Sequence, residues 1–163
     1  MPPRKGKNPL EIVCDSREQA PYLFSQYECA VRVGTIKYGD YTVVGLENCV
    51  AVERKSLNDF VGSICQGRER FEREILAASQ QREFFAVVIE GTPLDVASHL
   101  YVSKMTPHSV LQTAISWALK YDVHFIWAGS RNSAEYHTFH ILDKFQKLHY
   151  LKNTDSGGPN TGQ

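Results

Sequence analysis

Residues 49–65 read CVAVERKSLNDFVGSIC, a stretch that joins a strand pattern to a helix pattern through a group of charged side chains. The first part, CVAVER over residues 49–54, is mostly apolar and rich in valine, which is typical of a buried strand. An apolar helix pattern follows over residues 57–65, and Ser56 stands at its predicted N-cap. A strand that continues directly into a helix indicates an α/β fold.

Further strand and helix patterns extend on both sides of this unit. Additional strands are predicted over residues 11–14, 29–36, 41–45, 84–90 and 123–127, and additional helices over residues 69–82, 94–100, 107–121 and 132–150. The strands come mostly first and then alternate with helices, which predicts a mixed central sheet covered by helices on both faces. Trp117 and Trp127 fall in apolar stretches, so we expect them in the core.

Length and composition predict one domain with two polar ends. The chain has 163 residues, of which 42% are hydrophobic, and this is the size of one ordinary domain. We interpret residues 1–9 as a flexible basic arm, residues 10–151 as the folded domain and residues 152–163 as a disordered tail. The longest apolar run, Phe84–Ile89, is too short to span a bilayer, and the N-terminus lacks the apolar segment of a secretory signal. We therefore expect no membrane contact and an intracellular location: the cytoplasm of a prokaryote or virus-infected cell, or the nucleus.

Charge and cysteine content exclude two simple assignments. Lys+Arg and Asp+Glu each number 18, so no overall positive charge marks the chain as a nucleic-acid binder. Phosphate binding would therefore need a local basic patch. The cysteines form no C-x-x-C pair, and we expect buried free thiols rather than zinc ligands or disulfides at Cys14, Cys29, Cys49 and Cys65.

The charged residues of the opening stretch form part of a longer motif. It consists of Gly39-Asp40, a gap of twelve residues, Glu53-Arg54-Lys55, a gap of three residues and Asp59. Glu53 and Lys55 are two apart on a strand, so their side chains point to one face while Arg54 points to the other. A hairpin would bring Asp40 alongside, and such carboxylates suit Mg²⁺. This metal would polarise a phosphoryl oxygen, with Lys55 beside the water or the developing charge. The alternative is a solvated strand end without a catalytic role.

Two further polar segments allow two interpretations each. Asp59 lies three residues after Ser56 and fits an N-terminal helix cap as well as a site residue. The segment Asp15-Ser16-Arg17-Glu18 follows the first predicted strand, where ligand-binding groups often collect. Taken alone, that segment is more typical of a polar turn.

Five fragments together resemble the nuclease domain of the XPF family of structure-specific DNA endonucleases. In chain order they are VCDSRE (13–18), KYGDY (37–41), VAVERKSLND (50–59), GR (67–68) and VVIEG (87–91). The family signature of G-D, a variable gap, E-R-K, three residues and D is present in full. The similarity covers about residues 10 to 150 and implies a restriction-endonuclease-like core, which is an α/β fold with a mixed central sheet flanked by helices.

The resemblance implies roles for individual residues. It pairs the metal-binding acids of the family with Asp40 and Glu53, and the lysine beside the attacked phosphate with Lys55. It pairs further active-site acids with Asp15, Glu18 and Asp59, and DNA-binding basic positions with Arg17, Arg54 and Arg68. The implied cofactor is Mg²⁺, with Mn²⁺ as a substitute, and the implied partner is branched or flapped DNA.

The complete signature favours an active Mg²⁺-dependent endonuclease that hydrolyses phosphodiester bonds near branches or junctions between single strand and duplex. Two departures from the family pattern concern DNA contact and dimerisation. Glu72 stands where family members often have glutamine, which affects one expected DNA contact. The sequence shows no helix-hairpin-helix pattern, so we expect part of the usual DNA grip and dimer interface to be lacking. The alternatives are a non-catalytic DNA-binding or scaffolding partner of an active nuclease, and a junction resolvase or recombination nuclease of the same broad fold.

The last predicted helix carries a wide apolar stripe. Phe139, Leu142 and Phe145 recur at intervals of three, and Ile141 and Leu148 widen the stripe. The stripe fits packing against the sheet, and it equally fits contact with a second subunit. The resemblance implies a homodimer or heterodimer formed through this helix.

Overall fold

The computed structural model describes residues 8–156, and within that range the chain forms a six-stranded sheet with five helices. The strands are β1 (Glu11–Asp15), β2 (Ala30–Gly34), β3 (Tyr41–Val43), β4 (Val50–Ser56), β5 (Phe84–Glu90) and β6 (His124–Trp127). The helices are α1 (Leu57–Ile64), α2 (Arg68–Gln81), α3 (Pro93–Ala97), α4 (Pro107–Tyr121) and α5 (Arg131–Asp155). This is the predicted mixed α/β architecture.

The order of the strands in the sheet is β2-β1-β3-β4-β5-β6. β3 runs antiparallel to its neighbours β1 and β4, whereas the pairs β1–β2, β4–β5 and β5–β6 are parallel. The carboxyl ends of β1, β4 and β5 therefore meet the amino end of β3 at one edge of the sheet. Residues that are distant in sequence come together at this edge.

Two apolar cores lie on the two faces of the sheet. On one face, the buried side chains of α1, α2 and α4 include Phe60, Ile75 and Trp117. On the other face, α5 packs Phe139 and Leu142 against the central strands. Because both faces are covered, the central strands are apolar along most of their length, as the sequence of β5 illustrates.

Several predicted boundaries needed correction. α5 continues to Asp155, so the prediction of a disordered tail is wrong for residues 152–155, which are helical. Residues 157–163 of the predicted tail and residues 1–7 of the predicted basic arm lie outside the described residues. α3 ends at Ala97 rather than near residue 100, and His99 adopts a left-handed φ of 53° just beyond it.

The cysteines also differ from expectation. The described residues contain no disulfide, but Cys14 alone is buried, whereas Cys29 and Cys49 are half-buried and Cys65 is exposed. Cys65 follows the last residue of α1, where the apolar pattern ends. Both tryptophans pack in the core as predicted, since Trp117 is buried and the Trp127 ring lies 5.6 Å from that of Phe60. None of the helices within residues 8–156 has the length and apolar character needed to cross a bilayer.

Candidate active site

An open groove of about 730 Å³ lies at the sheet edge where β1, β3 and β4 meet the start of α1 and α2. Charged side chains of both signs line it: Arg17, Glu18, Asp40, Glu53, Arg54, Lys55, Asp59 and Arg70. Seven of these eight were predicted from the sequence as site residues. The groove therefore combines the acidic and basic clusters in one place.

Backbone hydrogen bonds hold Asp40 in the middle of this edge. Its N–H donates to the carbonyl of Val52 at 2.8 Å, and its carbonyl accepts from the N–H of Asp15 at 2.8 Å. Its Oδ2 accepts a further bond from the N–H of Arg54 at 2.8 Å. The preceding Gly39 has a φ of 107°, and a Cβ there would lie 2.9 Å from the Cβ of Ala51. Glycine is required at this turn for both reasons.

Glu53 and Lys55 point to the same face of β4, as the two-residue period predicted. The Lys55 Nζ lies 3.8 Å from the Glu53 Oε1 and 4.8 Å from the centre of the Phe71 ring. Phe71 belongs to α2, so this helix places an aromatic ring against the lysine ammonium in a cation–π contact. About a fifth of each side chain is exposed, 18% for Lys55 and 21% for Glu53.

The environment of the groove disfavours negative charge on both Asp40 and Glu53, which we call the central acids. Burial first, and then the neighbouring Glu18, raise the pKa of Asp40 to about 7, although the Arg54 N–H opposes this shift. Burial and then the charge of Asp40 raise the pKa of Glu53 to about 8. A cation between the two carboxylates would remove this repulsion. Two carboxylates in an open groove are a donor set that fits Mg²⁺, which retains several waters.

Asp15 orders the groove through its hydrogen bonds. Its Oδ1 accepts from the N–H and Nε of Arg17 at 2.8 and 2.9 Å, and its Oδ2 accepts from Arg17 Nη2 and from the N–H of Ile36. Burial acts against ionisation here, but the bonds from Arg17 and Ile36 prevail and lower the pKa of Asp15. The Arg17 side chain is 71% exposed, so its guanidinium is fixed at one end and open to solvent.

Arg54 lies on the opposite face of β4 within a buried ionic group. Its Nη1 lies 3.4 Å from Glu18 Oε1, and its Nη2 lies 2.6 Å from Glu90 Oε1. The Tyr22 ring lies 5.8 Å from its guanidinium carbon. All three charged side chains are at most 15% exposed. Arg54 thus fixes Glu18 at the groove, and its own charge is already paired.

Asp59 fits both interpretations that its sequence position allowed. The Ser56 hydroxyl accepts a 3.1 Å bond from the Asp59 N–H, which caps α1. The Asp59 side chain is exposed and lines the groove. Because the backbone of Asp59 makes the cap, its carboxylate remains available to the site.

The structure does not bring Arg68 to the groove. Its Nη1 donates to the Ile64 carbonyl and the Thr113 hydroxyl, and its guanidinium carbon lies 5.0 Å from the centre of the Trp117 ring. Arg70, two residues later and on a different side of α2, lines the groove instead. The sequence did not single out Arg70, which stands in a dense run of charged residues. Which of these side chains face the groove depends on how α2 packs against the sheet.

Glu72 is likewise directed away from the groove. Its carboxylate accepts a hydrogen bond from the Tyr121 hydroxyl and lies 3.6 Å from the Lys120 Nζ. Both partners belong to α4, so Glu72 joins two helices. The departure from the family pattern at this position therefore lies outside the groove lining.

A second cavity, of about 470 Å³, continues from the groove on the other side of the central acids. It shares Arg17, Asp40 and Glu53 with the groove and adds further residues that the sequence did not single out as site residues, among them Lys37, Tyr38 and Glu74. The central acids thus stand between two connected openings.

Comparison with known proteins identifies the family. The model of the ERCC4 domain matches residues 14–141, which include every residue of the groove described above. The chain belongs to the ERCC4 domain family. The XPF nuclease domain predicted from the sequence is thereby confirmed.

Known ERCC4 domain proteins resemble this chain in sequence and in fold. The 3'-flap repair endonuclease Xpf of Saccharolobus solfataricus is 28% identical over 142 residues, which cover 84% of this chain and 56% of that protein. The chain thus spans just over half the length of this curated relative. XPF from Aeropyrum pernix, solved in complex with DNA, has a similar fold, with a TM-score of 0.65 at 17% sequence identity. The match covers 85% of this chain and 66% of the Aeropyrum chain. A second XPF structure from Aeropyrum pernix gives a TM-score of 0.66 at 17% identity, over 93% and 75% of the two chains.

Proposed function

We propose that this ERCC4 domain is a Mg²⁺-dependent structure-specific DNA endonuclease that hydrolyses phosphodiester bonds near branches or junctions between single strand and duplex. The pair Asp40 and Glu53 carries the proposal, because two poorly solvated carboxylates beside Lys55 line an open groove. The names of the related proteins, a 3'-flap endonuclease and a DNA complex of XPF, support DNA as the substrate.

Asp40 and Glu53 would hold the metal, with Mn²⁺ able to replace Mg²⁺. The bound ion would polarise the phosphate and promote ionisation of a water. The Asp40 carboxylate is held by the Arg54 N–H, so the donor atoms are fixed before the metal arrives. Lys55 places a positive charge next to Glu53, where it can stabilise negative charge that develops on the phosphate.

The basic side chains of the groove would position the DNA backbone. Arg17, which is fixed by Asp15, and Arg70 both line the groove. Contacts of this kind bind phosphates and carry little information on base sequence. Recognition of DNA shape, such as a flap or a fork, is therefore part of the proposal.

A cleavage assay tests this function. The purified protein would be incubated with end-labelled fork, 3'-flap, four-way-junction and duplex DNA, with Mg²⁺, Mn²⁺ or EDTA. We expect cuts near the branch that require the metal and that fall roughly 100-fold or more in Asp40→Asn and Lys55→Ala. Lys144→Ala, on the exposed side of α5, is the matched control and should cleave normally.

Two outcomes would change the assignment. DNA binding without cuts under every metal condition would make the chain a non-catalytic partner of an active nuclease. Symmetric paired cuts confined to the four-way junction would favour a junction resolvase. Circular dichroism of each variant would separate loss of activity from loss of folding.

We also propose that association occurs through α5. Phe139 and Leu142 are used in packing against the sheet, which leaves Tyr136, Leu148 and Leu151 exposed at 52%, 58% and 60%. These three would form the contact with a second subunit. Sedimentation of the wild type and of Leu148→Asp tests this, and a monomer at all concentrations would exclude a homodimer.

A further inference from the structure

Three chemically different side chains converge at the edge of the sheet opposite the groove. The Cys49 Sγ, a carboxylate oxygen of Glu83 and an imidazole nitrogen of His149 all lie within 4.8 Å of one another. They come from the turn before β4, the loop before β5 and the last third of α5. We propose that Cys49, Glu83 and His149 form a second metal site, specific for Zn²⁺ or a similar transition metal.

The backbone holds two of the three donors together. The Phe84 N–H donates a 3.1 Å hydrogen bond to the Cys49 carbonyl, and Val50 pairs with Phe84 in the parallel register of β4 and β5. Cys49 and Glu83 therefore precede two paired residues at the same end of the sheet. Glu53 is four residues further along β4, so this site is about 13 Å from the groove.

His149 also has a suitable second contact. The Asn153 side-chain nitrogen Nδ2 lies 3.2 Å from the His149 Nε2, and rotating the amide by half a turn exchanges its nitrogen with its oxygen. Metal-binding histidines commonly donate their other ring N–H to an oxygen, which fixes the ring. With its amide oxygen turned toward Nε2, Asn153 would provide that acceptor and leave Nδ1 to the metal.

The donor chemistry favours Zn²⁺ over Mg²⁺. A thiolate and an imidazole are ligands that zinc prefers, whereas Mg²⁺ binds oxygen donors. Donor atoms around tetrahedral zinc lie about 3.5 Å apart, so the site needs a closure of about 1 Å. Glu83 is exposed and can make this movement. Within the described residues, no lysine or arginine forms an ion pair with Glu83.

The absence of a C-x-x-C pair, which argued against zinc in the sequence, does not bear on this arrangement because its ligands come from three separate elements.

A metal bound here would stabilise the end of α5. Gln146 is the last buried residue of α5, and the helix continues for nine residues beyond it. A bond from His149 to the sheet edge would anchor this final part of the helix.

Metal titration of the refolded or chelator-treated protein tests the proposal. The probe is Co²⁺, whose thiolate complexes absorb in the near ultraviolet, followed by displacement with Zn²⁺. The titration uses the Asp40→Asn/Glu53→Gln double variant, so that metal binding in the groove does not contribute. We expect one equivalent to bind with a thiolate band, and Zn²⁺ to raise the melting temperature.

Matched variants decide between a real site and incidental binding. Cys49→Ser and His149→Gln should each weaken Co²⁺ binding at least tenfold, and Glu83→Gln, which changes an exposed side chain, should weaken it without affecting folding. Cys65→Ser and His140→Gln are the controls and should bind like the parent. A missing thiolate band, a band that survives Cys49→Ser, or one that disappears in Cys65→Ser would overturn the proposal.

Discussion

The main-chain N–H of Arg54 donates a 2.8 Å hydrogen bond to the Oδ2 of Asp40, which lies fourteen positions earlier in the chain. This bond connects the two halves of the sequence signature across the β3–β4 pair. It fixes the carboxylate of Asp40 at the groove, but burial still opposes its ionisation. Under the proposed function, this fixed carboxylate is preorganised for a cation. The desolvation of the carboxylate lowers the stability of the protein without metal.

The first prediction concerns this cost. The pKa values of Asp40 and Glu53 are about 7 and 8 in the folded protein and about 4 in an unfolded chain. The folded state thus retains protons that the unfolded state has released, and this contribution to stability is lost as the pH rises from about 4 to 8. Asp40→Asn or Glu53→Gln should raise the unfolding free energy of the metal-free protein at pH 8 by about 1–2 kcal/mol.

Urea denaturation in EDTA at pH 5.5 and pH 8.5 measures this effect. The gain should be smaller at pH 5.5, where the wild-type acids are largely protonated. Asp59→Asn is the control: its side chain is exposed at the start of α1, so any loss of stability should be the same at both pH values. A wild type and a Glu53→Gln variant with the same pH dependence would contradict the prediction.

The second prediction concerns the turn before Asp40. Gly39→Ala introduces a Cβ 2.9 Å from the Ala51 Cβ at a φ of 107°, so it should destabilise the fold by about 2–3 kcal/mol. Gly45→Ala is a matched control, because Gly45 has a φ of 83° but open space around it. Thermal unfolding of both variants separates steric overlap from backbone strain, and equal losses would argue against the overlap.

The third prediction concerns Asp15. Asp15→Asn cannot accept all of the bonds from Arg17 and Ile36, so it should lower the unfolding free energy by about 2 kcal/mol at pH 7. The pKa of Asp15 is lowered in the folded state, so its contribution is fully present above the unfolded value of about 3.9 and is lost as the pH falls through the lower, folded-state value. The unfolding free energies of the two proteins should therefore approach each other in acid, and a difference that stays constant with pH would refute this account.

The fourth prediction concerns Arg54. Arg54→Met would leave Glu18 and Glu90 buried without their cation, at a cost of about 3 kcal/mol. The double variant Arg54→Met/Glu90→Gln should recover part of that loss, since one of the two buried charges is removed. Chemical denaturation of the single and double variants tests this. A direct role of Arg54 on phosphate would instead appear as weaker DNA binding with unchanged stability.

The fifth prediction separates two arginines of α2. Arg70→Ala should weaken DNA binding measured in EDTA and reduce its salt dependence by about one phosphate contact, because Arg70 lines the groove. Arg68→Ala should bind DNA normally and lose about 1 kcal/mol of stability, since its guanidinium contacts Trp117 and Thr113. Fluorescence anisotropy at several salt concentrations gives the comparison, and the reverse pattern would restore Arg68 to the DNA-binding set.

The sequence alone determined the elements of the fold and the central part of the site. Apolar runs located the strands because buried strands need apolar residues on both faces, and the two-residue period placed Glu53 and Lys55 on one face of β4. Five short motifs in chain order, among them Gly39-Asp40 and Glu53-Arg54-Lys55, indicated the family. These are local properties, which each short segment carries with it.

Tertiary structure alone decided which partner each long side chain takes and how strongly each acid resists ionisation. Arg54 and Arg68 are similar in sequence terms, yet one joins Glu18 and Glu90 and the other lies against Trp117. An arginine reaches several ångströms in any direction, so its contacts depend on which helices pack beside it. Desolvation of Asp40 and the meeting of Cys49 with His149 likewise arise only when distant segments are brought together.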